Sequence, residues 1–171
     1  MGRNVEIKAR LAAPERVRER VLALADSGPD VLEQADTFFV TEHGRLKLRE
    51  FPNGHGELIY YERPDCSEPR ESQCRIYSAP DSNTLHKVLA DAMEVRGVVR
   101  KRRELFMVGQ TRIHLDDVEG LGAYLELEVV LTEGQSWEEG GEIAKSLLQN
   151  IEIPPEAMVD RAYIDLLDAR A

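Results

Sequence analysis

Five stretches of the chain carry charged residues at every second position. Glu6, Lys8 and Arg10 alternate with Val5, Ile7, Ala9 and Leu11. Arg45, Lys47 and Arg49 alternate with Leu46 and Leu48. Lys101 and Arg103 share one parity, with Arg100 and Arg102 on the other. Arg112, His114 and Asp116 alternate with Ile113 and Leu115, and Glu126 and Glu128 with Leu125, Leu127 and Val129. Several Lys and Arg side chains in one pocket suit a polyphosphate, because guanidinium groups offer paired donors and ammonium groups act as point charges. A group of carboxylates suits Mg²⁺ or Mn²⁺, hard cations that take oxygen ligands and keep substrate phosphate in their shell. Both sets in one cavity would serve phosphoryl or nucleotidyl transfer, where most of the work is neutralising developing charge.

A period of two places these residues on β-strands. The charged face of a strand is ordinarily a solvated one, and the alternation alone leaves its direction open. The segregation of signs argues the other way, since two of the strands are almost purely basic and one purely acidic. If helices cover the apolar faces, the charged faces turn inward. Charges enclosed there need a ligand, a metal, water or ion pairs to offset their lost hydration.

The remaining elements must position these strands. Residues 5–11 read as the first strand. Pro14 opens a helix with Val17, Val21 and Leu24 at helical spacing, and residues 27–30 end it. Strands follow at 35–40, 45–51, 57–63 and 72–78, with turn chemistry at 42–44 and 52–56 and a polar loop at 64–71. Asp81 or Ser82 caps a second helix whose buried stripe is Leu85, Val88, Leu89, Ala92 and Val95, with Gly97 at its end. Three strands occupy 98–108, 111–118 and 123–131. Ser136 and Glu139 have capping-box spacing and open a third helix to Gln149, although Gly140-Gly141 weakens its first turn. A last helix is expected from Pro154-Pro155 to near Leu167. Hairpin connections imply antiparallel pairing. About eight strands are enough to close a barrel around one small ligand. The expected fold is therefore α+β, a closed eight-stranded antiparallel β-barrel with helices packed outside, in a single domain over 1–171.

The chain has 171 residues, with 22 Lys and Arg against 32 Asp and Glu and a net charge of −10, which argues against nucleic acid as a partner. It leaves a small anionic ligand open, because such a ligand feels the local field. No apolar run approaches the ~20 residues of a membrane span. Without an apolar leader, and with only Cys66 and Cys74, the chain reads as a cytoplasmic protein with reduced thiols. No Cys/His spacing suggests zinc, and His43, His55 and His86 read as surface or cap residues.

Glu6-Ile7-Lys8 is similar to the Glu-x-Glu-x-Lys signature of the CYTH superfamily, the triphosphate tunnel metalloenzymes. The resemblance continues through Gly44-Arg45-Leu46-Lys47-Leu48-Arg49, Lys101-Arg102-Arg103, the stretch from Arg112 to Glu128, and Ala162-Tyr163 in the tail. It is strongest toward the class IV adenylyl cyclase branch. It implies a triphosphate cradle of Lys8, Lys47, Arg49, Lys101 and Arg103, to which the alternation adds Arg45 and Arg10. It implies Glu6, Asp116, Glu126 and Glu128 as ligands of Mg²⁺ or Mn²⁺. Lys8 and Glu6 are the candidate catalytic residues, Lys8 assisting the nucleophile if neighbouring cations depress its pKa. The implied reaction is conversion of ATP to cyclic AMP and pyrophosphate, with hydrolysis of inorganic triphosphate or thiamine triphosphate as the alternative, and a homodimer as the assembly. Two positions depart from the pattern. Asn4 stands where the signature has its first Glu, which motivates a third alternative, a non-catalytic binder of nucleotides or polyphosphate. Arg63 follows Tyr60-Tyr61-Glu62 where the family carries a Lys.

Overall fold

The computed structural model describes residues 3–62 and 73–171, so Arg63 and Cys66 lie outside the described residues. Its elements are β1 (Asn4–Arg10), α1 (Pro14–Leu24), β2 (Ser27–Phe39), β3 (Arg45–Glu50), β4 (Gly56–Glu62), β5 (Gln73–Ala79) and α2 (Ser82–Ala92). Then come β6 (Val95–Val108), β7 (Thr111–Val118), β8 (Gly122–Val130), α3 (Trp137–Asn150), β9 (Met158–Val159) and α4 (Tyr163–Asp168). All strands pair antiparallel, in the order β5-β4-β3-β2-β6-β7-β8-β1-β9. Among the described residues no helix is long and apolar enough to cross a membrane.

The closed eight-stranded barrel expected from the sequence is not what forms. Among the described residues the sheet has nine strands in a linear order, with β5 and β9 as its two edges. The ninth strand arises because the outer edge of β1 takes up Met158 and Val159, opposite Ala9 and Lys8. With that edge occupied, no backbone ladder joins β5 to β1 among the described residues. Side chains meet there instead: Cys74 of β5 packs against the apolar cluster that holds Ala162, Tyr163 and Ile164 at the start of α4.

The apolar parity of β1, β6, β7 and β8 faces the helices. Ala9, Phe106, Ile113, Leu115, Leu125 and Leu127 form one cluster with Val17 and Val21 of α1 and Leu147 of α3. Val5, Val129 and Ala144 extend it, with Trp137 packed alongside. The Ser136–Glu139 capping box forms, and the glycine pair after it has a packing reason. A Cβ on Gly140 would lie 2.5 Å from Leu131 and 2.7 Å from Val5, so glycine lets α3 press onto β1.

Three local expectations are corrected. Residues 27–30 do not close α1. They begin β2, where Ser27 pairs with Met107 before a bulge. Gly97 does not cap α2. The helix ends at Ala92, and Gly97 pairs with Phe38 because β2 offers a free ladder to 95–99. The expected stripe of α2 is consequently poorly buried, with Val88 58% exposed. Finally, 154–167 is no continuous helix. Proline supplies no N–H there, and the chain makes a 3-10 turn at Pro155–Ala157, then β9, then α4.

Candidate active site

The charged parity of the sheet lines a cavity of about 200 Å³. Eight of the nine strands contribute to it, which requires the sheet to curl about its charged face. Five cations (Lys8, Lys47, Arg49, Lys101, Arg103) and four carboxylates (Glu6, Asp36, Glu126, Glu128) line it, together with Asn4, His114 and Tyr163. Enclosed charges of both signs at this density must be paired, and they are, in two groups.

The basic group is built on β2, β3 and β6. Register sets Asp36 beside Arg49 on one side and Val99 on the other. The Asp36 carboxylate, 2% exposed, accepts from Lys47 Nζ at 2.8 Å and from Arg49 Nε and a terminal nitrogen at 2.8 Å each. Lys101 Nζ lies 3.9 Å away. Burial would push the Asp36 carboxyl up, but Lys47, Arg49 and Lys101 outweigh it and hold it well below the usual carboxylate range. Burial and the neighbouring Arg103 push Lys101 down to about 7. Burial and Arg49 likewise lower Lys47.

The acidic group is built on β1, β7 and β8. Glu6 faces Glu128 across the β1–β8 ladder, and Lys8 faces Glu126. Arg103 grips Asp116 with two 2.7 Å hydrogen bonds and approaches Glu126 at 3.6 Å. Tyr163 donates to Asp116 at 2.8 Å, and its ring lies under Lys8 at 4.0 Å and Lys101 at 5.2 Å. Burial would raise the Glu126 carboxyl, but Arg103, His114 and Lys8 keep it well below the usual range. Burial, with Asp116 and Glu126 nearby, holds the Tyr163 hydroxyl protonated well above its ordinary pKa.

The CYTH domain model matches residues 2–163. The chain belongs to the CYTH family. The fold of this CYTH protein is similar to that of the PH1012 protein of Pyrococcus horikoshii, with a TM-score of 0.84 and 24% identity over 95% of this chain and 98% of that one. It is also similar to a candidate adenylate cyclase from Vibrio parahaemolyticus, with a TM-score of 0.80 and 20% identity over 96% and 97% of the two chains. A candidate adenylyl cyclase from Hippeastrum with a dominant triphosphatase activity aligns with a TM-score of 0.75 and 15% identity, over 99% of this chain and 96% of that one. At these identities the likeness concerns the fold alone. No curated protein matches this chain.

Of the residues singled out in the CYTH sequence, Glu6, Lys8, Lys47, Arg49, Lys101, Arg103, Glu126 and Glu128 are brought together around the cavity. Asp116 is buried on Arg103 and Tyr163 and does not line it. Arg45 points elsewhere, pairing with Asp165 of α4 at 2.7 Å, and Arg10 is exposed. Asn4 lines the cavity and donates to Glu128. Sequence reasoning passed over Asp36, a lone carboxylate in the stretch Gln34 to Phe39. Its parity matched no visible charge run, and only the β2–β3 register shows what it touches. Cys74 lines the apolar end with Phe38, Ile59 and Tyr61.

The donor set suits a hard divalent cation. Glu6 and Glu128 stand directly opposite each other, an arrangement of like charges that costs stability unless a cation lies between or beside them. Glu126 follows on the same face of β8. Among the described residues, no three Asp, Glu, His or Cys side chains converge on one point. Glu126 leans toward Arg103 and Lys8, and Glu128 toward Asn4 and Arg112.

Proposed function

We propose that this CYTH protein is a divalent-metal-dependent phosphohydrolase that cleaves the terminal phosphate from a short triphosphate chain, inorganic or organic. The observation that carries the reading is the cavity itself: five cations and the Glu6–Glu126–Glu128 face enclosed in about 200 Å³. That volume is below the ~300 Å³ at which pockets for drug-sized ligands begin. It suits a phosphate chain. Cyclisation of ATP is the second reading, favoured by the apolar end at Phe38, Ile59 and Tyr61, against which a base can stack.

In this reading Lys47, Arg49, Lys101 and Arg103 bind the bridging and terminal oxygens and offset the charge that spreads over them in the transition state. Lys8, held over the Tyr163 ring, takes the end of the chain nearest the carboxylates. Glu6, Glu126 and Glu128 would hold Mg²⁺ or Mn²⁺, which supplies Lewis acidity and a more acidic bound water. Glu6 would also orient the attacking water. Attack of that water on the terminal phosphorus would form the new P–O bond as the bridging P–O bond breaks, giving orthophosphate, with the diphosphate as leaving group and the water proton passing to Glu6 or to solvent.

The test is incubation with Mg²⁺ or Mn²⁺ and each of tripolyphosphate, thiamine triphosphate and ATP, followed by product analysis. Orthophosphate is the expected product. Cyclic AMP with pyrophosphate would replace this reading by cyclisation, and tight binding without turnover would make the protein a binder. Arg100→Ala serves as the control. Arg100 is exposed on the parity of β6 opposite Lys101, so kcat/KM is expected to stay within about two-fold of the parent protein, as for surface changes generally.

Lys101 makes binding sensitive to pH. Its ammonium is favoured by a bound anion and disfavoured by burial, with a folded-state pKa of about 7 in the unliganded protein. Binding therefore takes up a proton above that pH, and affinity falls as pH rises above about 7. Tripolyphosphate titrates in the same range, so the measurement is the difference between the parent protein and Lys101→Met, by calorimetry in two buffers of different ionisation heat. The parent is expected to take up more protons at pH 8 than the variant; equal uptake refutes the assignment.

A further inference from the structure

We propose that Asp36 is a built-in counter-anion: in the unliganded protein its carboxylate stands in for a phosphate between Lys47, Arg49 and Lys101, and a triphosphate must displace it to bind. The inference rests on the triphosphate reading for its ligand, though not for the geometry.

Among the described residues Asp36 is the one carboxylate on the basic side of the cavity, and it is 2% exposed. Its two oxygens accept three hydrogen bonds of 2.8 Å. The Arg49 contact is the two-pronged fork that guanidinium makes equally with carboxylate and with phosphate. Lys101 waits at 3.9 Å, within reach of the same oxygens. A single carboxylate between three enclosed cations does two things. It gathers them against their mutual repulsion, which keeps the empty cavity intact. It also occupies donors that a ligand needs. Lys47 uses one of three donors on Asp36 and Arg49 two of five, so the cations are engaged without being exhausted.

The consequence is a threshold for the ligand. An incoming anion must offer these cations more than Asp36 already does. Orthophosphate brings little surplus charge, whereas a triphosphate reaches all three cations and Arg103 at once. Asp36 thus sets affinity and favours the longer polyanion. It is a positioning residue, since it acts through the cations.

Asp36→Asn keeps the shape and removes the charge. A residue that merely holds the wall in place would weaken ligand binding when changed; a counter-anion would strengthen it. Binding is measured by calorimetry near pH 6, where Lys101 is protonated, with EDTA present so that no turnover occurs. The Asn variant is expected to bind tripolyphosphate at least roughly ten-fold more tightly than the parent. Its melting temperature without anions should fall, and tripolyphosphate should raise it by more than in the parent. Equal or weaker tripolyphosphate binding by the variant overturns the proposal. If the variant does not stay folded alone, refolding is the readout. Recovery in tripolyphosphate but not in NaCl of equal ionic strength supports the counter-anion, and no recovery in either overturns it. A parent protein that fails to bind tripolyphosphate sinks the proposed function separately. In that event, a sulfate-dependent gain in melting temperature larger in the Asn variant than in the parent still supports the role of Asp36, and equal gains overturn it.

Discussion

Glu126→Gln is expected to lower metal-dependent phosphate release by about 10³-fold while leaving the fold intact. A divalent metal contributes several kcal/mol of charge stabilisation in such reactions, and about 1.4 kcal/mol corresponds to ten-fold in rate. The glutamine keeps the volume and one carbonyl oxygen but loses the charge. The surroundings tolerate the change. Arg103 keeps its two hydrogen bonds to Asp116, and Lys8 keeps the Tyr163 ring and the Arg161 carbonyl at 3.3 Å. The decisive measurement is kcat/KM against Mn²⁺ concentration, with the melting temperature as a check on folding. Activity within a few-fold of the parent would remove Glu126 from the metal site.

Arg103→Met is expected to be the most damaging single change in the cavity, and its damage should depend on pH. The methionine keeps most of the volume. It leaves Asp116 buried with only Tyr163 as a hydrogen-bond partner, and removing one member of a buried ion pair costs about 3–5 kcal/mol. The sign follows from Asp116. Burial would raise its carboxyl, yet Arg103 and Lys101 hold it below its ordinary value. In the parent the pair therefore stabilises above the unfolded carboxylate pKa of ~3.9 and fades as pH falls through the lower folded value. In the variant burial prevails, and the carboxylate becomes a liability that grows as pH rises above ~4. Urea midpoints at pH 7.5 and pH 4 check this. The deficit should be large at 7.5 and clearly smaller at 4, where the variant's buried charge is neutralised but the parent still keeps most of its pair; a deficit independent of pH would point to lost packing instead.

How far the site was legible depended on whether its residues announced themselves along the chain. Glu6, Lys8, Lys47, Arg49, Lys101, Arg103, Glu126 and Glu128 could be picked out because each belongs to a run of alternating parity. Asp36 belongs to none, and its partners are 11, 13 and 65 positions away. Arg45 shared the parity of Lys47 and Arg49 but lies at the end of β3 where α4 arrives, and Asp165 takes it. Local rules worked where the competition was local. The Ser136–Glu139 cap formed as its spacing implied. They failed where a neighbouring strand offered hydrogen bonds, as for 27–30, Gly97 and 158–159.

The sequence by itself determined which strands carry charge, with which sign, and on which parity, because side-chain alternation is a local property of extended backbone. It did not determine which way those faces point. The helices decide that, since α1 and α3 bury the apolar parity and so turn the charges inward. Nor did it determine closure. A ladder between β5 and β1 depends on hydrogen-bonding edges more than sixty residues apart, and Met158–Val159 pairs with the β1 edge instead. The pairing of Asp36 with three cations is decided in the same way, by register between strands and not by anything written along one of them.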